Sequence, residues 1–189
     1  TCLQNPTQFM TVWSKAFRAS LIKNLRFAPN LRVSEDSNFL LQALLGAQTI
    51  STSPDLLYRY SIDNPSTMRT FDQSKLDGYL AALKSARRII QDQNPSLQEA
   101  FGAYSLAQFN LSMVRQVFHQ SNPLSYKEKL AKMKELASSD IFAQDFSAMS
   151  LKKVKGLGDI PLWFIKHKAY RLASLIYLVR VKQNARKER

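Results

Sequence analysis

The sequence predicts an α+β chain that is mainly α, with its few strands lying before residue 71. Three observations carry that prediction. Short apolar segments of mixed type precede residue 71, whereas long runs with 3.6-residue spacing follow it. Asn64-Pro65, Asn94-Pro95 and Asn122-Pro123 place proline where one segment ends or the next helix starts. With 189 residues, of which 45% are hydrophobic, the chain can bury a real core. Three regions are therefore expected: residues 1–71, a helical region over 72–158, and a basic amphipathic helix and tail over 159–189.

In chain order, WSKAFRASLIKN has helical spacing and LRFAPNLRV reads as extended. A helix is predicted from about Ser34 to Leu45, with Ser34 as N-cap and Gly46 closing it. The β-branched and aromatic content of AQTIS and LLYRYSI suits strands. Beyond residue 71, Leu76, Tyr79, Leu80, Leu83 and Ile90 share one helical face. A second helix carries Leu97, Phe101, Tyr104, Leu111, Val114 and Phe118, and a third carries Leu130, Met133 and Leu136. No internal repeat or low-complexity tract interrupts the pattern.

A formal charge of +13 calls for an anionic partner, whether nucleic acid, an acidic membrane surface or a phosphorylated substrate. The single cysteine, Cys2, excludes an internal disulfide framework and a cysteine-based zinc site, which fits a reducing compartment. TCLQNPTQFM has neither the basic nor the apolar region of a signal peptide, and no apolar run approaches the roughly 18 residues of a membrane span. The expected location is cytoplasmic, peripheral on the inner face of the membrane.

From Leu151 to Arg189, eleven Lys and Arg face only Asp159 and Glu188, a net of +9. Within this region PLWFIKHKAYRLASLIYLVRVK interleaves aromatic and aliphatic residues with Lys166, Lys168, Arg171, Arg180 and Lys182. Such a helix suits the headgroup region of an anionic leaflet; equally, its apolar side can pack on the protein while the lysines face water. A rival signal overlaps it. LKKVKGLGDIPLWFI resembles the helix-hairpin-helix motif of DNA-binding proteins, whose turn, here Gly156 to Gly158, offers backbone N–H groups to a phosphate. That motif wants a small residue where Leu162 stands. The alternative function is thus a basic helical nucleic-acid-binding protein, and long amphipathic helices also allow a homo-oligomer.

In VSEDSNFL, Glu35 and Asp36 stand in a first helical turn, where the helix dipole alone favours negative charge. Their surroundings suggest more. VWSKAFRASLI, LRFAPNLRVSEDSNFLLQALLGAQTI and LLYRYSIDNPST follow in that order. Together they resemble the C-terminal part of the catalytic domain of family 2 glycosyltransferases, the inverting GT-A enzymes of bacterial polysaccharide synthesis. Trp13, Lys15, Phe17, Glu35, Asp36, Phe39, Tyr58, Tyr60 and Ser66 stand at matching places, and the resemblance covers about residues 9 to 70.

The resemblance implies that residues 1–71 are the acceptor-side part of a GT-A α/β domain. In that family the second acidic residue is the general base, which falls on Asp36, with Glu35 orienting the site or binding acceptor. Trp13 offers an apolar platform for a sugar, or is a core residue beside Phe17 and Leu21. Lys15 and Arg59 are candidates for donor phosphates or acceptor; Tyr58 and Tyr60 read as packing residues, and His119 and His167 as structural or solvent-facing. The implied partners are a nucleotide-sugar donor and a glycan or lipid-linked acceptor. No Asp-x-Asp occurs in the sequence, although the family uses one to hold Mg or Mn on the donor diphosphate. The divalent metal is therefore expected in a full-length enzyme, with none bound by this chain. By the same implication these residues are part of a longer enzyme, or a homologue lacking the nucleotide-binding half, and are inactive alone.

Overall fold

The computed structural model describes residues 2–4, 6–31, 33–55, 58–59, 61, 71–150 and 156–187. Among these the chain is mainly helical and contains no strand. Ala47 to Pro54 carry no regular structure, so the part of the predicted strand pair at AQTIS forms no ladder. Most of LLYRYSI lies outside the described residues. Two compact units are present, one comprising Thr1–Thr70 with Gly78–Phe101, the other Phe71–Asp77 with Gly102–Arg189.

The first unit is built around helix α3 (Glu35–Gly46), preceded by the short helices α1 (Pro6–Phe9) and α2 (Ala19–Ile22). The long helix predicted over WSKAFRASLIKN is reduced to α2, because the chain turns at Trp13 and Ser14 with Ser14 in the left-handed region. Helix α3 buries Phe39, Leu40, Leu41 and Ala43, a broad apolar face. Phe39 sits between two further rings, stacked on Phe27 at 4.4 Å and edge-on to Phe17 at 6.0 Å. Helix α4 (Ser74–Ile90) buries Tyr79, Leu83 and Ile90, as its periodicity requires. Asn38 Nδ2 donates to the Ala82 carbonyl at 3.0 Å, a buried bond that pins α3 to α4. The contact is close enough that a Cβ on Gly78 would come within 2.5 Å of Val33.

Helix α5 (Pro95–Ser112) starts at the proline, whose missing N–H costs nothing in a first turn. Asn94 Oδ1 accepts the Leu97 N–H at 2.9 Å and caps it. Its last part belongs to the second unit and runs into a π turn over Met113–Val117, where the Phe118 N–H reaches back to the Met113 carbonyl. Helix α6 (Tyr126–Ala137) begins at Ser125 with a reciprocal capping box to Glu128. Pro123 thus precedes the cap by two residues and does not itself start the helix. Helices α7 (Ala143–Ala148), α8 (Ile160–Lys166) and α9 (Tyr170–Lys187) complete the unit. Phe109 lies at its centre, edge-on to Phe142 and Phe146 at 5.0 and 5.1 Å.

The C-terminal region predicted as one amphipathic helix is two helices. Lys168 adopts φ 60°, the Lys168 N–H returns to the Ile165 carbonyl, and the Ala169 N–H reaches the Phe164 carbonyl, both at 2.8 Å. This is a Schellman ending with lysine in the place that glycine usually takes. The Lys166 ammonium donates to the carbonyls of Ser147 and Met149, tying α8 to the end of α7. Tyr177, fully buried on α9, stacks on Phe118 at 5.7 Å and donates to Asn110 Oδ1 at 2.6 Å. The face of α9 bearing Ala173, Tyr177 and Val181 therefore packs on the protein.

Candidate active site

The predicted site residues lie in the first unit, with Glu35 and Asp36 at the N-terminal end of α3. Glu35 and Asp36 occupy its first turn and are half-buried. Ser34 stands at the N-cap, but with φ 58° and without the side-chain hydrogen bond that the sequence suggested. The negative ends of Glu35 and Asp36 are then left to meet the dipole of the first turn. Ser37 supplies the anchor, donating from Oγ to the Met10 carbonyl at 3.0 Å and holding the turn against the segment before Trp13.

That segment brings two more candidates into place. Lys15 is partly buried, and burial pushes its ammonium below the usual lysine value, with the charges of Cys2 and Asp36 pulling it back. Lys15 and Asp36 thus lie within electrostatic reach of each other. Two residues earlier, Trp13 is 38% exposed, so it is not the core tryptophan of the alternative expectation. Its ring stacks on Tyr58 at 5.6 Å and 21°, and Tyr58 is itself 47% exposed. Two stacked aromatic rings that both reach solvent are a suitable platform for an apolar sugar face. Arg59 is also exposed, beside Tyr58 in sequence.

Tyr58 is the residue that sequence reasoning passed over, because strand-like alternation suggested packing. Ser14 and Ser34, both in the left-handed region, were invisible as well. Each adjoins a candidate: Ser14 lies between Trp13 and Lys15, and Ser34 precedes Glu35. Left-handed backbone in a residue other than glycine costs free energy and concentrates at functional positions. Tyr60 and Ser66, also part of the pattern, lie outside the described residues. His119 stacks on Phe71 at 5.6 Å and accepts the Ser121 N–H at Nδ1, and His167 caps α8 with its ring 4.6 Å from Trp163, so both shape local turns.

Among the described residues no group of three or more His, Cys, Asp or Glu side chains is gathered as a metal site. Glu35 and Asp36 alone do not make the oxygen cage that a divalent cation on a diphosphate needs. The Gly156 to Gly158 turn is partly engaged: Asn110 Nδ2 donates to the Gly158 carbonyl at 3.1 Å and the Asp159 N–H to Gly156 at 3.0 Å. Leu162 is buried where a hairpin of two touching helices wants a small residue.

Compared with family models, curated proteins and solved structures, the chain matches none of them. Among the described residues no helix is long and apolar enough to cross a membrane.

Proposed function

We propose that this chain supplies the acceptor side of an inverting glycosyltransferase, acting with nucleotide-binding units that hold the donor. The observation that carries this is the exposed Trp13–Tyr58 stack, two residues from Lys15, whose charge Asp36 helps to favour. A carboxylate, a cation and an aromatic platform are what a sugar acceptor requires, and they come from three separate stretches of the sequence pattern. Asp36 takes the proton of the acceptor hydroxyl as its oxygen attacks the anomeric carbon. The bond from that carbon to the donor's phosphate oxygen breaks from the opposite face, and the nucleoside diphosphate leaves. One carboxylate is sufficient for this chemistry, because the departing group carries away its own electron pair. Glu35 holds acceptor hydroxyls or the orientation of Asp36, and Trp13 with Tyr58 covers a sugar face. Lys15 and Arg59 supply positive charge toward phosphate or acceptor.

The test uses the chain joined to its nucleotide-binding units, with a panel of nucleotide sugars and release of nucleoside diphosphate as readout. Asp36→Asn keeps the shape of the side chain but cannot take the proton, so transfer should fall by about 10²- to 10⁴-fold. Glu35→Gln should cost less in turnover. Near-normal transfer by Asp36→Asn would return the pair to the role of a charged first turn and overturn the proposal.

A further inference from the structure

Helix α9 is apolar on two faces, and only one of them is used. Ala173, Tyr177 and Val181 are buried. On the opposite side Leu172, Leu175 and Val179 are 50%, 55% and 53% exposed, at the i, i+3, i+7 spacing of a single stripe. Charge frames this stripe. Arg171 stands at its N-terminal end, and the exposed Lys182 and Arg186 continue the same side of the helix toward its C-terminus. From Leu172 to Arg186 the surface is about 21 Å long at 1.5 Å per residue. No acidic residue occurs between Ile160 and Lys187.

At the N-terminal end of the stripe the surface becomes concave. An open cavity of about 280 Å³ is lined by Lys134, Lys168, Ala169, Tyr170, Arg171 and Leu172. Its cations come from three places in the fold: α6, the Schellman turn and the start of α9. The Lys134 ammonium is held over the Tyr170 ring at 5.5 Å. Lys168 owes its position to the left-handed turn that ends α8. Three positive side chains therefore converge on a recess whose far rim is Leu172, the first residue of the apolar stripe.

We infer that this face docks on an anionic membrane surface, with a lipid phosphate in the Lys134–Lys168–Arg171 recess and Leu172, Leu175 and Val179 in the headgroup–acyl boundary. The arrangement matches a helix lying in the interface plane: aliphatic side chains in the middle, and basic ones at both ends able to reach phosphates. Charge complementarity selects this occupant over two others. A second copy packed through the same stripe would bring Arg171, Lys182 and Arg186 against like charges with no acid to offset them. Nucleic acid would satisfy the cations but leave three aliphatic side chains against phosphates and sugars, where aromatic rings are the useful partners. Tyr177 is committed to the core, so the aliphatic stripe and not the aromatic ring is what α9 offers to this surface. The inference is independent of the reaction proposed above.

The experiment is sedimentation of the full chain with phosphatidylcholine vesicles, with and without phosphatidylglycerol. Binding is expected only with the anionic lipid and should weaken with salt. Replacing Lys134 and Arg171 by Gln, and Lys168 by Gly to keep the left-handed turn, should weaken partition by about fivefold for each cation removed. The triple change of Leu172, Leu175 and Val179 to Ser should weaken it by about tenfold or more, with thermal unfolding unchanged because all three are exposed. A second measurement does not depend on lost binding. In a Cys2→Ser background, an environment-sensitive dye on Leu175→Cys should shift to the blue on anionic vesicles, whereas the same dye on Lys127→Cys should not.

Equal binding to neutral vesicles, or full binding by the aliphatic triple variant, overturns the inference. So does a dye at position 175 that stays in water on bound protein. Dissociation of a dimer by the Ser substitutions assigns the stripe to a second copy. Cation variants that lose single-stranded DNA but keep vesicle binding assign the recess to nucleic acid, and either result also overturns it.

Discussion

Removing one oxygen atom from α9 tests the packing that decides which side of this helix faces out. The Tyr177 hydroxyl is fully buried and donates to Asn110 Oδ1 at 2.6 Å, and Asn110 in turn donates to the Gly158 carbonyl. Tyr177→Phe keeps the ring and its stack on Phe118 while leaving Asn110 Oδ1 without that donor. Leaving a buried acceptor unpaired costs about 1–3 kcal/mol, and Asn110 is only half-buried, so the lower half of that range is expected. For a chain of this length that corresponds to a drop of roughly 2–6 °C in the melting midpoint of the transition. A pH signature accompanies it. Burial pushes the Tyr177 phenol far above its usual value, with Arg180 opposing only weakly. Below the ordinary tyrosine pKa of about 10, folded and unfolded chains both hold the proton. Above it the unfolded chain releases the proton and the folded one does not, so stability falls by about 1.4 kcal/mol per pH unit on account of this group. Tyr177→Phe should remove that slope. Urea unfolding followed by Trp163 fluorescence in a Trp13→Phe background, at neutral and alkaline pH, measures both effects. Refutation would be a variant within about 0.3 kcal/mol of the parent at neutral pH together with an unchanged alkaline slope, both inside the usual scatter of surface substitutions.

Gly78→Ala should gain up to about 1 kcal/mol of helix propensity yet destabilise the first unit, because the new Cβ would meet the stiff Val33 Cγ2 at 2.5 Å. Combining it with Val33→Ala should recover part of the loss in urea unfolding. Ser125→Ala should cost about 1 kcal/mol by removing the cap of α6. Glu128 is held below the usual carboxylate range, first by the Ser125 side chain and then by its backbone, so its contribution is present above the unfolded value and fades as pH falls through the folded one. The gap between parent and variant should therefore narrow at about pH 3 in the same assay. Lys15 is held below the usual lysine value, so across that alkaline window the unfolded chain binds more protons and stability rises with pH. Lys15→Met should abolish this rise without lowering stability at neutral pH, as pH-dependent unfolding of the two proteins would show.

Much of the helical region was legible because its signals are local. Pro95 opens α5, Ser125 and Glu128 sit three residues apart, and Tyr79, Leu83 and Ile90 repeat at the helical period, so propensity and burial point the same way. Glu35 likewise marked the start of α3 to the residue. The long helix expected around Trp13 failed because Ser14 enters the left-handed region, and nothing in its side chain announces that. At the candidate site the carboxylate pair was readable from its neighbours in sequence. The Trp13–Tyr58 stack was not, since 44 intervening residues separate the rings and alternation describes only a single strand.

The C-terminus shows the division most clearly. Sequence alone determined that this segment is helical, strongly basic and richer in apolar residues than one buried face requires. It did not determine where the segment breaks, because Lys168 takes a conformation usually left to glycine. Nor did it determine which side is core. Leu172, Leu175 and Val179 are as hydrophobic as Ala173, Tyr177 and Val181, so periodicity cannot rank the two stripes. Only tertiary structure offers Asn110 and Phe118 as partners for Tyr177, and a buried phenol goes where its hydroxyl finds an acceptor.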